Sequence, residues 1–283
     1  MTQRCFGFRD FEGLNECTER GFIVGSDQVF RDDYIRAYPG LYLLGFAAAD
    51  KQRIAVSASF GKDSFSIDKA NLFFKAFDAI SVREKSGLDI LRNNGYEDGS
   101  HILDPVFLVD KQIFLDLAKD VDVPSDMIVG YVLDESEEIE AFVKTHGGKY
   151  INIAHQDLDV EEFLAYLMRA RAVITDSFHG TCFAIIFNKP FRCFYNEARG
   201  NARFASLFES LGLSANSLDN EPDWTVVNRL IEKEREKGLA WIASSLETRK
   251  PKDKRLCRKL KKIATAKRRH RHSLWWHLLH LKF

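Results

Sequence analysis

Residues Ala172–Val173–Ile174–Thr175–Asp176–Ser177–Phe178–His179–Gly180 decide how this chain is read. An apolar run stops in a polar cluster, a His–Gly pair follows, and from Thr181 to Phe187 the chain is mostly apolar again. That order predicts a buried strand, a tight turn and a helix whose first turn exposes polar groups. In an open α/β sheet, ligands collect at the carboxyl ends of the strands. The N-terminus of the helix that follows attracts anions through its unpaired N–H groups and its dipole. A histidine placed there can hold a phosphate or carboxylate, or move a proton.

The same alternation extends in both directions. Short apolar runs predict strands at Phe22–Val24, Ile54–Ser59, Ile80–Val82, Ile102–Leu103, Met127–Leu133, Tyr150–Ile153, Ala172–Thr175 and Pro190–Tyr195. Helical spacing of apolar residues falls between them at Lys69–Phe77, Glu84–Asn93, Glu137–Thr145 and Val160–Ala170, with Gly95 and Asp159 as caps, and again over 221–248. Strands separated by helices of this length imply parallel βαβ units. Asp110, Asp116, Asp120, Asp122, Pro124, Ser125 and Asp126 accumulate around 111–125 and mark a break. The expectation is an α/β protein of two Rossmann-like lobes with a cleft between them. The lobes are a first over 1–115, a second over 116–248 with closing helices, and a basic tail over 249–283. The first lobe reads as short, because its first clear strand begins only at Phe22.

Composition limits the function classes. The chain has 283 residues, 45% of them hydrophobic and 29% charged, enough to bury a core in each lobe. It contains no apolar run of about 18 residues and no apolar leader segment, so a cytoplasmic location is expected. Five cysteines form no CxxC pair, and no HExxH or paired Cys/His spacing occurs, so no metal is expected. Neither a Walker A loop nor a GxGxxG fingerprint is present, so a tightly bound nucleotide of either common type has no support in the sequence.

Four polar clusters end predicted strands: Gly25–Ser26–Asp27–Gln28, Ser59–Phe60–Gly61–Lys62–Asp63–Ser64, Ser81–Val82–Arg83–Glu84, and Thr175–Asp176–Ser177–Phe178–His179–Gly180. In parallel sheets they point to one edge and can converge on one crevice. Together they offer two cations (Lys62, Arg83), the titratable His179, several hydroxyls, and glycines that let the backbone approach a ligand. That inventory suits a small, multiply charged anion. Each cluster also has a purely structural reading: a turn and cap for Gly25–Ser26–Asp27, a plain βα loop for Ser59–Phe60–Gly61, a surface ion pair for Arg83–Glu84, a capping or packed histidine for His179.

Phe22–Ile23–Val24–Gly25–Ser26–Asp27–Gln28–Val29–Phe30 resembles the GSDQVW signature of the polysaccharide pyruvyl transferase family. Ala58–Ser59–Phe60–Gly61, Ser81–Val82–Arg83–Glu84, Leu103–Asp104–Pro105 and Thr175–Asp176–Ser177–Phe178–His179–Gly180 resemble its later motifs in the same order, from about residue 22 to about 213. The resemblance implies a GT-B-like fold. It also implies transfer of the pyruvyl group of phosphoenolpyruvate, the donor substrate, to two hydroxyls of a sugar or lipid-linked oligosaccharide, with release of phosphate and no further cofactor. By the same resemblance Arg83 binds the donor and His179 is the donor-site histidine. Protonation of the vinyl CH2 needs an acid near the donor, which His179 can supply. Asp27, Asp176 or Glu84 can accept the sugar hydroxyl's proton. The strand-end clusters themselves offer Lys62, Ser177, Asp176, Gly180, Ser26, Gln28, Ser59, Gly61 and Glu84 as candidate substrate-binding residues.

Two departures accompany it. Many relatives carry Arg–Leu–His–Gly where this chain has Ser177–Phe178–His179–Gly180, which leaves Lys62, Arg31 or Arg53 to supply the missing charge. Relatives also begin with a strand and a Gly/Asn-rich loop upstream of the GSDQ motif, so reduced activity, or a binding role without catalysis, is a second expectation. A glycosyltransferase of GT-B type using a nucleotide sugar is the enzymatic alternative.

The zero net charge conceals a split. Residues 249–283 hold 14 basic residues against one acidic, a net +13, and the remainder holds 27 against 40, a net −13. Leu256, Leu260 and Ile263 recur at helical spacing among the basic residues, and Ser273–Leu279 is apolar and aromatic. This segment suits attachment to an anionic membrane surface on its cytoplasmic side, and its structural alternative is a solvated basic tail whose aromatic end packs on the acidic body. Nucleic acid is not expected as a partner, since no recognisable binding motif accompanies the basic run.

Overall fold

The computed structural model describes Asn15 and residues 19–146, 148–195 and 200–265, with Thr265 described by its backbone only. The first lobe is a four-stranded parallel sheet in the order β1-β2-β3-β4, formed by β1 (Gly21–Val24), β2 (Gln52–Ala58), β3 (Ala79–Val82) and β4 (Ser100–His101). Two single-turn helices, α1 (Asp32–Ile35) and α2 (Pro39–Tyr42), join β1 to β2. α3 (Ala70–Phe74) and α4 (Ser86–Asn93) make the next two crossovers. Phe30, Phe60, Phe73, Phe74 and Phe77 fill the centre of this lobe with almost no exposure. Their rings meet edge-on or tilted, as aromatic quadrupoles prefer.

A short 3-10 turn, Pro105–Phe107, leads into the second lobe through α5 (Lys111–Ala118). β5 (Ile128–Tyr131), α6 (Glu137–His146), β6 (Tyr150–Asn152), α7 (Val160–Arg169), β7 (Ala172–Thr175), α8 (Phe178–Ile186) and β8 (Phe191–Cys193) follow. The sheet is again all parallel, in the order β6-β5-β7-β8. α8 is apolar nearly all round and is accordingly buried on nearly all sides. Asp159 caps α7 in a reciprocal box with Glu162, at 2.8 and 3.0 Å. Gly95 ends α4 with φ +75°, the left-handed geometry expected of a C-cap glycine.

The molecule is therefore α/β with two Rossmann-like lobes, the GT-B-like arrangement expected from sequence; seven of the eight predicted strands overlap observed ones, while β4 lies at Ser100–His101, just before the expected Ile102–Leu103. Helices were less legible. The acidic stretch read as a break contains α5, whose Phe114 and Ala118 pack with Leu164 and Ala165 of α7. Its aspartates are explained locally: Asp110 caps α5 by accepting from the Gln112 N–H at 2.9 Å. α5 straddles residue 115, where the sequence division between lobes was placed, and packs with the second lobe.

Three closing helices follow among the described residues: α9 (Ala202–Leu211), α10 (Trp224–Glu247) and α11 (Lys254–Thr265). From the end of α10 the chain returns to the first lobe. Gln52 Nε2 donates to the carbonyls of Ser245, Leu246 and Thr248, satisfying groups that a helix C-terminus leaves open. Asp78 accepts from the Lys250 and Arg53 backbone N–H groups, each at 2.8 Å, and from Lys252 Nζ at 2.5 Å. Leu260 is fully buried in the first core, with Leu256 and Ile263 beside it. The apolar stripe that the sequence offered to a lipid surface is thus turned inward against the first lobe, because the lobe supplies enough apolar surface to cover it. The aromatic segment Ser273–Leu279 lies outside the described residues. No helix among the described residues is long and apolar enough to cross a membrane.

Leu260→Ala should destabilise the protein by about 2–5 kcal/mol, the usual cost of emptying a well-packed leucine site. Denaturant unfolding measures this, and a loss below about 0.5 kcal/mol would show that α11 does not dock there.

Candidate functional site

The clusters that end β1, β2, β3 and β7 meet where the two lobes face each other. Arg83 leaves the end of β3 and is buried at 2% exposure. Its Nη1 donates to Asp104 Oδ2 at 2.8 Å and its Nη2 to Asp27 Oδ1 at 2.9 Å. His179 sits in the first turn of α8, with its side chain 40% exposed, and its Nε2 lies 3.8 Å from the same Asp104 oxygen. One carboxylate oxygen therefore brings together a cation from the first lobe and an imidazole from the second. The Phe178 ring lies beneath the guanidinium of Arg83, 4.5 Å from its Cζ.

The electrostatics follow from burial and pairing. Burial works to raise the Asp104 carboxyl, but the His179 imidazole and the Arg83 guanidinium outweigh it and hold it at about 2. Asp27 shifts the same way: desolvation raises it, and Arg83, the Gln28 N–H and His179 together lower it more. Burial likewise opposes the charge on Arg83, but Asp104 and Asp27 raise its pKa overall. The positive guanidinium is thus fixed, and Asp27, with 69% of its side chain exposed, forms the wet end of the network.

The remaining predicted residues divide between this site and its scaffold. Glu84 is fully buried and holds the β2–α3 loop. Its Oε1 accepts from Ser59 Oγ at 3.1 Å, the Phe60 N–H at 2.5 Å and the Gly61 N–H at 3.1 Å, while its Oε2 has no hydrogen bond. Burial pushes its pKa up against the lowering effect of Arg83 and these donors. Asp176 accepts from the Leu133 and Asp134 N–H groups at 2.7 and 2.9 Å, tying the end of β7 to the loop after β5. Ser177 caps α8, accepting from the Gly180 N–H at 3.4 Å, and Gly180 packs closely on Thr175. The geometry gives Glu84, Asp176 and Ser177 bonds that position the loops rather than hands free for a ligand.

Gly25 turns the chain at φ +135°, where a Cβ would lie 2.0 Å from the Val56 carbonyl oxygen. Only glycine fits this close approach of the first two strands, which sets Ser26, Asp27 and Gln28 at the cleft. Gln28 packs against Gly61, and Gly61 in turn meets Gly200 of the second lobe, whose added Cβ would fall 1.7 Å from the Gly61 oxygen. The lobes touch through backbone at that point.

Among the described residues, none of the three cations suggested to replace the absent arginine pairs with Asp27 or Asp104, although Arg31 Nη1 reaches Gln28 Oε1 at 3.4 Å. Lys62 pairs with Asp33 at 2.9 Å and Asp32 at 3.8 Å. Arg31 also pairs with Asp33, at 2.8 Å. Arg53 is wholly buried in the first lobe, donating to the carbonyls of Leu44 and Ala47. Two residues had no assigned role in the sequence. Asp104 lies in the quoted Leu103–Asp104–Pro105 motif, a lone acid after an apolar pair. Arg203 of α9 is buried at 7% exposure, with its guanidinium 5.4 Å from the Phe178 ring centre. No motif marks it. No cluster of three or more potential metal ligands occurs among the described residues.

The model of the polysaccharide pyruvyl transferase family matches residues 11–198, about two thirds of the chain, and the chain belongs to that family. It is accordingly a polysaccharide-modifying transferase. No curated protein matches it significantly in sequence. Solved structures similar to it include the wall teichoic acid polymerase TagF, at 10% identity, 91% coverage of this chain, 93% of that chain and a TM-score of 0.35. A histidine-to-alanine variant of TagF matches at 10% identity, with 91% and 92% coverage and a TM-score of 0.37. Likeness at this level does not bear on activity.

Asp104→Asn should cost about 3–5 kcal/mol by leaving Arg83 buried with one fewer charge partner, as read by denaturant unfolding. The Asp104 contribution should also depend on acid. With its pKa depressed from 3.8 to about 2, the stabilisation is complete above about pH 4 and is lost as the pH falls towards 2. An acid-unfolding curve that is the same for wild type and Asp104→Asn would remove Asp104 from this role.

Proposed function

We propose that the chain transfers the pyruvyl group of phosphoenolpyruvate to two hydroxyls of a sugar in a cell-surface polysaccharide precursor. The observation that carries this reading is the meeting of Arg83 and His179, from different lobes, at one oxygen of Asp104. The donor's carboxylate and phosphate need fixed positive charge, and the guanidinium of Arg83 and the first turn of α8 supply it side by side. The donor then lies against the second lobe at α8, and the acceptor sugar against the loops after β1 and β2.

The chemistry balances on this chain's own groups. His179 gives a proton to the vinyl CH2, which becomes a methyl group, as the first sugar hydroxyl bonds to the central carbon and loses its proton to a base. The bond from that carbon to the phosphate oxygen then breaks. Phosphate leaves with the electron pair, the second hydroxyl adds at the same carbon, and its proton departs with phosphate. Asp27 is favoured as the base over Asp176 and Glu84. It is exposed, whereas Asp176 is engaged by two backbone amides and Glu84 is sealed inside the first lobe.

Asp27 also occupies one edge of Arg83, where an incoming anion would bind. Donor and Asp27 compete for that edge, so arrival of the donor frees the carboxylate to serve the sugar hydroxyl. Asp27→Asn should therefore bind phosphoenolpyruvate more tightly and turn over at least about 100-fold more slowly. Titration calorimetry and steady-state rates check the two halves, and an unchanged rate removes Asp27 as the base. His179→Ala and Arg83→Gln should each abolish phosphate release from phosphoenolpyruvate in the presence of glycan acceptor. Release of nucleotide from a nucleotide sugar, without phosphate from phosphoenolpyruvate, would favour glycosyl transfer instead.

The reading includes a cytoplasmic location against an anionic membrane, where lipid-linked acceptors reside. Lys254, Arg255, Arg258, Lys259 and Lys262 are exposed on the outer side of α11 and make no ion pair among the described residues. Attachment here is by charge rather than by insertion of the Leu256–Leu260–Ile263 stripe, with each cation adding about 1 kcal/mol near the surface. Replacing Arg258, Lys259 and Lys262 by Glu should release the protein from phosphatidylserine vesicles, and unchanged sedimentation with vesicles would refute the attachment.

A further inference from the structure

Arg203 is the least expected charge in this molecule. It enters from α9, a closing helix of the second lobe, with its guanidinium against the ring of Phe178 at 5.4 Å and that of Phe204 at 5.3 Å. Its position follows from contacts between the lobes. Ser206 Oγ accepts from the Lys85 backbone N–H at 2.7 Å, and Glu209 pairs with Lys85 Nζ at 2.8 Å. Lys85 lies two residues beyond Arg83, so these bonds draw α9 across the cleft and bring the two arginines to the same phenylalanine.

The two guanidiniums are treated differently by their surroundings. Arg83 has both terminal nitrogens on carboxylates. Arg203 is more than nine-tenths buried and has no carboxylate at ion-pair distance among the described residues, and its Nε, like that of Arg83, has no hydrogen bond. Burial and the nearby charge of Arg83 lower its pKa to about 10, so it is still a cation at neutral pH. A buried cation without a counter-ion is costly, and apolar residues of similar volume often serve stability better. The cost has a return if an anion completes the site.

We infer that Arg203 is the second anion-binding cation of the donor site, taking over in this chain the charge that Ser177 lacks. Its planar fork receives the phosphate or carboxylate group of the donor beside Arg83, and Phe178 holds the two guanidiniums in register. The aromatic residue in Ser177–Phe178–His179–Gly180 then has a function: it stacks an arginine from another helix where relatives place one in the motif itself. The charge has moved in sequence while the phosphate-binding chemistry stays in place.

The inference rests on phosphoenolpyruvate as donor, and the test separates the two. Phosphoenolpyruvate and inorganic phosphate are titrated into the full chain by calorimetry, for wild type, Arg203→Met and Arg203→Lys. Arg203→Met keeps the stem packing on Phe178 and Phe204 and removes only the charge. It should weaken both ligands by roughly 10- to 100-fold, with Arg203→Lys recovering part of the loss. Wild-type affinity in Arg203→Met would overturn the inference and leave the donor assignment standing, Arg203 then serving only as packing. Failure of the wild type to bind either ligand would overturn both. Should Arg203→Met not fold, the wild type decides. In protein with isotope-labelled arginine, the Arg203 Nε–H resonance, identified by its loss in Arg203→Lys, should shift on addition of phosphoenolpyruvate. A resonance that stays in place at saturation would overturn the inference.

Discussion

A single carboxylate oxygen, Asp104 Oδ2, ties the two lobes of this transferase together at its site. It accepts from Arg83 of the first lobe and lies within ion-pair distance of His179 of the second. The pairing works because it is buried: in a medium of low polarisability the attraction between fixed charges is strong, and so is the penalty for leaving either unpaired. Everything around it serves to hold those charges still. Glu84 fastens the loop after β2, Asp176 fastens the end of β7 to the loop after β5, and Ser177 caps the helix that presents His179.

This scaffold changes what the family motifs mean in physical terms. Asp176 is held by two backbone N–H groups and one oxygen of Glu84 by three donors, which leaves His179 and Asp27 as the exposed motif side chains at the edge of the arginine network. A site of this kind is preorganised. Its positive charge is set before any ligand arrives, so little reorganisation accompanies the development of charge in the reaction. The closing helices contribute to the same end. α9 braces the cleft from the second lobe through Ser206 and Glu209, and α11 docks on the first through Leu260.

Strands were legible where a short apolar run is bounded by polar residues and buried, as in β2, β3, β5 and β7, a pattern that tertiary contacts seldom override. Helices were less so. α5 hides in an acidic stretch because its aspartates cap and solvate one face while Phe114 and Ala118 supply the other. α1 and α2, at four residues each, are too short for any periodicity to show. Among site residues, Arg83, His179 and Asp27 were marked by their place at strand ends. Arg203 was not, because it sits in an ordinary helix pattern and acquires its role only through the fold of α9 onto Lys85.

The amino-acid order alone determined the alternation of strands and helices, the two-lobed α/β class and the edge at which chemistry gathers, since all three follow from local periodicity and from the direction of parallel strands. Which charges face one another was decided only in three dimensions. Lys62, Arg31 and Arg53 were equal candidates as sequence, yet each is claimed by a local partner, while Arg203 is drawn in from a distant helix. Pairing of charges depends on distance and burial, and neither is a property of a residue's position along the chain.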